Sequence, residues 1–333
     1  MSAATSAPRR SDVAIIEARG LARVFATKQG NVEAVRGVDV TVEAGEIVGF
    51  LGPNGAGKTT TLRMLTTLIR PTAGSARVVD CDLLTDPQGV RERIGYVSQI
   101  GGTDPSCPVV EELLLQGELH GLSRADARTR TDALLDSLDL RAIAARPAGT
   151  LSGGQRRRLD IALGLVHRPP LLFLDEPSTG LDPQSRSHLW DQVRKLRTDH
   201  GTTVFLTTHY LDEADALADR LLIIDHGKIV AEGTPAELKR RISGDIVTLE
   251  IQGEVERARA AIAAHPDVRS VAGTGATLRI TVDHGEKILM ELVRILNETG
   301  ASLSSVNLAR PTLDDVFLTV TGRSLREDAA PAA

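Results

Sequence analysis

Aromatic side chains make up only 2% of this 333-residue chain, so its interior must be built mainly from aliphatic residues. Cysteine is almost absent. Cys81 and Cys107 stand in no CxxC pattern, which excludes a disulfide framework and reads as two idle or buried thiols in a reducing cytosol. No apolar run approaches the roughly 18 residues needed to cross a bilayer. The N-terminus lacks the apolar stretch of a signal peptide, and Arg9-Arg10 is followed by Ser11-Asp12 rather than by the apolar core of a twin-arginine signal. Nor is there a dominant charge. The net charge of −5 makes the chain no electrostatic magnet for nucleic acid or anionic lipid. These absences point to a soluble, cytoplasmic chain; if it serves a membrane, another chain spans it.

What is present is an ordinary globular composition, 41% hydrophobic and 25% charged, in a chain long enough for two domains. Val13–Ala18 and Val38–Val42 read as strands, and Ile47–Leu51 as a short, wholly apolar one. A helix is expected from Lys58 to about Ile69, stopped by Arg70-Pro71. Residues 109–145 read as amphipathic helices with Leu113, Leu114, Leu134, Leu135 and Leu138 inward. Buried-strand runs return at 171–174, 203–206 and 221–224, which predicts a parallel sheet covered on both faces. Asp225-His226-Gly227-Lys228 reads as a hairpin closing the first domain.

Past Ser243-Gly244 the order is strand (246–251), helix (255–264), strand (268–272), strand (277–282), helix (286–299) and strand (303–308). That β-α-β-β-α-β order suggests a small ferredoxin-like module, with a last helix capped by Thr312 to Asp315. The expected division is a flexible tail (1–12), an α/β domain (13–242) with a helical subdomain at about 100–165, an α+β accessory domain (243–322) and a disordered tail (323–333).

Three segments carry chemistry. Gly52-Pro53-Asn54-Gly55-Ala56-Gly57-Lys58-Thr59 fits G-x-x-x-x-G-K-[ST] between a strand and a helix. Glycines there let backbone amides surround phosphates, and the helix N-terminus adds positive potential. Lys58 can reach the β- and γ-phosphates and the Thr59 hydroxyl can ligate Mg²⁺. The expected nucleotide contacts are therefore Gly52 to Thr59 and the neighbouring Thr60. Leu171-Leu172-Phe173-Leu174-Asp175-Glu176 ends a buried strand in two carboxylates: Asp175 can hold Mg²⁺ and Glu176 can act as general base toward water. Ser152-Gly153-Gly154-Gln155 opens a helix and makes a second anion-binding start. Arg156-Arg157-Arg158 behind it reads as solvating that helix or meeting phosphate.

In this order the segments resemble the nucleotide-binding subunit of an ABC transporter, over about residues 13–238. The resemblance implies a P-loop NTPase fold with a parallel-sheet core, an N-terminal antiparallel β part and a helical subdomain. It also implies a dimer, in which Ser152, Gly153 and Gly154 meet the γ-phosphate held by a second subunit. By resemblance Gln99, in Tyr96-Val97-Ser98-Gln99, joins Mg²⁺ and water to the membrane-facing subdomain. Ser178 to Asp182 touches the opposite site, His209 contacts the γ-phosphate, and Phe25 stacks on adenine. Arg156 to Ala162, Thr208 to Asp215 and Pro311 to Phe317 are similar to the daunorubicin-resistance subgroup. That implies a separate polytopic ABC-2 type permease, residues 105–145 receiving its coupling helix, and a location on the inner membrane face. The alternative, a soluble ABC ATPase of translation or DNA repair, fits less well. There is one cassette and no coiled coil between Lys58 and Ser152. A GTPase would need an Asn-Lys-x-Asp motif, which is missing. No nucleic-acid partner is expected.

Overall fold

The computed structural model describes residues 14–28, 30–242, 245–273, 275–283, 285–309 and 311–322. The tails expected at 1–12 and 323–333, and the junction at Ser243-Gly244, lie outside these residues. The chain divides into two compact units, Met1–Glu232 and Gly233–Ala333.

In the first unit β1 (Ala14–Thr27) and β2 (Gly30–Glu43) form a hairpin, longer than the two short strands predicted, before β3 (Ile47–Leu51) enters the core. After the glycine-rich loop comes α1 (Lys58–Leu65), then β4 (Ala73–Val78), β5 (Cys81–Asp82), α2 (Pro87–Arg93) and β6 (Ile94–Val97). The helix α1 ends ahead of the expected stop. Thr67 turns to a φ of 63° and its amide reaches back to the Met64 carbonyl at 3.0 Å, so the break is made before Pro71. A helical stretch follows, with α3 (Val109–Leu119), α4 (Arg124–Ser137) and α5 (Gly153–Leu165). Leu113, Leu134, Leu135 and Leu138 are buried there as predicted, whereas Leu114 is only half-buried. The unit closes with β7 (Leu171–Asp175), α6 (Pro183–His200), β8 (Thr203–Thr208), α7 (Leu211–Leu217), β9 (Arg220–Asp225) and β10 (Lys228–Gly233).

Two sheets result. One is antiparallel, ordered β2-β1-β4-β5, and the other runs β10-β9-β3-β8-β7-β6. In the second sheet β9, β3, β8, β7 and β6 pair in parallel. The middle residues of β3, β7, β8 and β9 are apolar because each face of the sheet packs on its own core. Phe50, Phe173 and Phe205 point to one side, with Ile16, Leu62 and Met64. Leu172, Leu174, Val204 and Leu206 point to the other, with Leu113 and Leu159. Three of the five phenylalanines meet across neighbouring strands, with Phe205 at 5.6 Å from both Phe50 and Phe173. The parallel register sets Leu51 beside Thr208 and Asp175 beside Thr207, so the ends of β3, β7 and β8 line up. That alignment positions the site.

The second unit holds α8 (Pro235–Ile242), β11 (Asp245–Gly253), α9 (Val255–Ala263), β12 (Val268–Ala272), β13 (Thr277–Val282), α10 (Gly285–Thr299), β14 (Ala301–Ala309) and α11 (Leu313–Thr321). Its sheet is antiparallel in the order β12-β13-β11-β14, the ferredoxin-like arrangement, over a core that includes Val247, Leu249, Leu278, Ile280 and Leu292. Because α8 packs against α11, the chain divides ahead of α8, and the boundary expected at 242/243 falls at the end of that helix. Thr312 and Asp315 cap α11 reciprocally.

Candidate active site

The loop after β3 owes its course to two glycines. A Cβ on Gly52 would collide with the Ile224 carbonyl, and one on Gly57 would lie 2.5 Å from the Ala34 carbonyl. Gly57, at a φ of 107°, is also the N-cap of α1. The first helical hydrogen bond runs from the Thr61 amide to Gly57, so the amides of Lys58, Thr59 and Thr60 start the helix without helical acceptors. Lys58 is 4% exposed, and its ammonium donates to the carbonyls of Gly52 (2.8 Å) and Pro53 (3.0 Å). It also lies 3.4 Å from Glu176 Oε1. Burial pulls the Lys58 pKa down, against the pull of Glu176 and Asp175.

Asp175, at the end of β7 and 1% exposed, accepts hydrogen bonds from Thr59 (3.1 Å) and from Thr207 (2.7 Å). Ligand oxygens at adjacent corners of a Mg²⁺ octahedron stand about 2.9 Å apart for metal–oxygen bonds of 2.0–2.1 Å. The Thr59–Asp175 pair thus already has the spacing and the hard oxygens that a small divalent cation takes. The chemistry of these donors fits Mg²⁺.

Glu176 follows in a left-handed conformation, φ 45°, which is unusual for a residue with a side chain. Two hydrogen bonds hold its amide there, to the Thr207 carbonyl (3.1 Å) and hydroxyl (3.0 Å). The carboxylate, 8% exposed, collects neighbours on one oxygen. Gln99 Nε2 donates to Oε2 at 3.0 Å, Thr179 Oγ1 donates at 3.2 Å, and His209 Nδ1 lies 3.2 Å away. Burial works against ionisation, yet His209 and Lys58 together hold the carboxyl down at about 2.

Five predicted residues therefore converge: Lys58, Thr59, Gln99, Asp175 and Glu176, with His209 beside them. Gln99 meets the Glu176 carboxylate rather than the Thr59–Asp175 pair. Ser152 to Gln155 stay out of this cluster. Ser152 caps α5, accepting from the Gln155 amide (3.3 Å), while the Gln155 side chain accepts from the Ser152 amide (3.0 Å). Ser152 and Gly153 are exposed, and a Cβ on Gly154 would stand 2.8 Å from Ser185 Oγ. Phe25 is half-buried on β1 opposite Val32, and the Arg23 guanidinium sits 4.6 Å over its ring. It is not among the core residues.

One expectation needs correcting. Arg157 does not solvate α5: it is 6% exposed and donates to the carbonyls of Ser98 (2.6 Å), Asp175 (2.9 Å) and Pro177 (2.9 Å). It ties the segment before Gln99 to the end of β7. In a run of three arginines, only the helical phase that turns the middle one inward distinguishes it. Thr207 was also missed as a site residue; a hydroxyl inside an apolar strand run is the signal that could have marked it.

A phosphate loop beside a strand-end carboxylate pair defines a P-loop NTPase. Comparison with known proteins narrows this. The family described as ABC transporter matches residues 35–179, and the one described as ATP-binding protein DrrA1-3-like, C-terminal domain, matches residues 233–321. The daunorubicin/doxorubicin resistance ATP-binding protein DrrA of Streptomyces peucetius is 45% identical, covering 92% of each chain. The linearmycin resistance ATP-binding protein LnrL of Bacillus subtilis is 35% identical, covering 90% of this chain and 96% of its own. The dimeric structure of MJ0796, a bacterial ABC transporter cassette, superposes with a TM-score of 0.61 at 25% identity, covering 66% of this chain and 98% of that one. The chain belongs to the ABC transporter ATP-binding proteins, within the group that carries the DrrA-type C-terminal domain, and is an ATP-hydrolysing subunit of an export system. No helix among the described residues is long and apolar enough to cross a membrane.

Proposed function

We propose that the chain drives efflux of drug-like or lipid-like compounds by hydrolysing Mg²⁺-ATP in a dimer of cassettes, bound to a separate polytopic ABC-2 type permease at the inner membrane face. The observation that carries this reading is the convergence of Lys58, Gln99, Thr179 and His209 on the Glu176 carboxylate, next to the Thr59–Asp175 pair.

Gly52 to Thr60 would cradle the phosphates with backbone amides, Phe25 would offer its ring to adenine, and Thr59, Asp175 and the Gln99 amide oxygen would hold Mg²⁺. The metal neutralises phosphate charge when bound. Glu176 orients a water and takes its proton. In the ATP complex the Lys58 ammonium turns from Glu176 toward phosphate. Glu176 then loses a positive neighbour and gains negative ones, and both changes raise its pKa toward that of an effective base. His209 holds the carboxylate in line.

The exposed start of α5 supports the dimer, since Ser152 and Gly153 keep an anion-binding helix N-terminus free for the partner's γ-phosphate. A cavity of about 360 Å³ supports the permease contact. It is lined by Leu68, Tyr96, Gln116 and His120 among others, and Ile100, Leu115 and Leu119 are exposed beside lining residues.

The test is Glu176→Gln. This variant is expected to bind ATP and dimerise while its turnover falls by about 10²-fold or more, because the base is gone and the cradle remains. Near-normal turnover would refute the assignment. Purification from native membranes should recover the polytopic partner with the chain; its absence would remove the transport reading and leave the ATPase.

A further inference from the structure

Behind the cluster on Glu176 lies a second carboxyl that the proposed chemistry does not use. Glu213, on α7, is fully buried. Its Oε1 accepts from the Ser178 hydroxyl, and the Trp190 indole N–H is shared between Ser178 Oγ (3.1 Å) and Glu213 Oε1 (3.2 Å). Oε2 accepts no hydrogen bond, and the Thr208 hydroxyl lies beside the carboxyl. Burial raises the pKa of this group. A buried carboxyl on the inner face of a helix costs several kcal/mol of desolvation that a leucine would not, so its presence calls for a reason beyond packing.

The reason lies one residue further along each neighbouring segment. Ser178 precedes Thr179, whose hydroxyl donates to Glu176 Oε2 at 3.2 Å. Thr208 precedes His209, whose Nδ1 stands 3.2 Å from that same oxygen. The Thr208 hydroxyl also accepts from the Tyr210 amide at 2.9 Å, which fixes the turn carrying His209. One hydrogen-bonded arm, Ser178–Thr179, and one packed arm, Thr208–His209, thus run from the buried carboxyl to one carboxylate oxygen.

We propose that Glu213 is a positioning residue for Glu176, joining the Ser178–Thr179 arm to the Thr208–His209 arm so that displacement of one is passed to the other. This rests on Glu176 as the base. Glu213 touches neither phosphate nor water; it sets the direction of Oε2 through Thr179 and His209. Because Glu213 makes none of the contacts of the phosphate loop, its loss acts on the rate and leaves nucleotide binding in place.

The chain supplies its own reporter, because Trp190 is its one tryptophan and its N–H bonds to both members of the anchor. Steady-state kinetics of the full chain and Trp190 emission test the proposal together. Glu213→Ala is expected to lower kcat by about tenfold or more with the KM for ATP within about twofold, as a base displaced by a fraction of an ångström requires. Glu213→Gln, which keeps an acceptor for Ser178 and Trp190, is expected to regain most of that rate. In Glu176→Gln, Mg²⁺-ATP is expected to change Trp190 emission as the arms move, and adding Glu213→Ala should abolish the change. Folded Glu213→Ala with a kcat within about twofold of the parent overturns the proposal, as does a Trp190 signal in Glu176→Gln that ignores nucleotide. If Glu213→Ala does not fold, Ser178→Ala decides: it removes one hydroxyl, a kcat loss of about fivefold is expected, and a parental kcat refutes the link. Loss of turnover in Glu176→Gln alongside parental rates in the Glu213 variants would leave the base assignment standing and remove only this inference.

Discussion

Replacing Arg157 by methionine should damage this protein more than any other single change in its three-arginine run. The guanidinium is 6% exposed and donates to three carbonyls, those of Ser98, Asp175 and Pro177, at 2.6 to 2.9 Å. Methionine keeps the apolar stem and leaves the three acceptors unpaired. A hydrogen bond from a charged donor contributes about 1.5–3 kcal/mol, and a buried acceptor left alone costs about 1–3 kcal/mol. Three of them give a nominal loss of about 3–9 kcal/mol. Against this stands the desolvation of the guanidinium, visible in the downward pull of burial on its pKa, which the variant escapes. A net loss of about 3–5 kcal/mol remains, comparable to removing one partner of a buried ion pair. For a unit of this size each kcal/mol lowers Tm by about 2–4 °C, so a fall of about 10 °C is expected in calorimetry. The kcat should fall as well, because the anchored carbonyls flank Gln99 and Glu176. Arg157→Lys should recover part of both, since an ammonium cannot span three carbonyls. A Tm within about 3 °C of the parent, with unchanged kcat, would refute the claim that Arg157 holds the site together.

Lys58→Ala should lose nucleotide binding in titration calorimetry, since the ammonium is the one side-chain charge in the loop; retained tight ATP binding would count against the loop. Asp175→Asn should raise the Mg²⁺ concentration needed for half-maximal turnover, measured by metal titration, because the pair with Thr59 loses its charge. Asp160, 9% exposed, has its pKa raised by burial to about 6, above the unfolded carboxylate. Its ionised form is therefore less stable in the folded chain, and stability rises as pH falls from 6 toward 4. Asp160→Asn should gain stability at pH 7, with an upper bound of about 3 kcal/mol in which the attraction to Arg157 and Arg156 is already included, and the gain should vanish near pH 4 in urea titrations. A gain independent of pH would contradict burial as the cause.

Much of the site was legible beforehand because its chemistry demands particular residues at fixed spacings. A loop that wraps phosphate needs glycines and a lysine next to a helix start, and a buried strand ending in Asp-Glu has few other uses. The ferredoxin-like order of the second unit followed from alternating and 3.6-residue periodicity in the same way. Arg157 and Glu213 were not legible. Arg157 acts through backbone carbonyls and Glu213 chiefly through the Ser178 hydroxyl, on segments distant in sequence, and no spacing encodes such partners. The end of α1 at Leu65, just ahead of the left-handed Thr67, and the half-burial of Leu114 were missed for a related reason, since local propensity does not report which neighbour claims a given face.

The amino-acid sequence by itself determined the phosphate loop, the acidic strand end and the exposed start of α5, because these are local: strand, turn and helix N-terminus form from contiguous residues. Tertiary structure alone decided that Lys58, Gln99, Thr179 and His209 meet on one carboxylate, because only the parallel registry of β3, β8, β7 and β6 brings the segments that carry them together. It also decided that a buried arginine and a buried glutamate stand behind that meeting point, where charge left without partners would be too costly to keep.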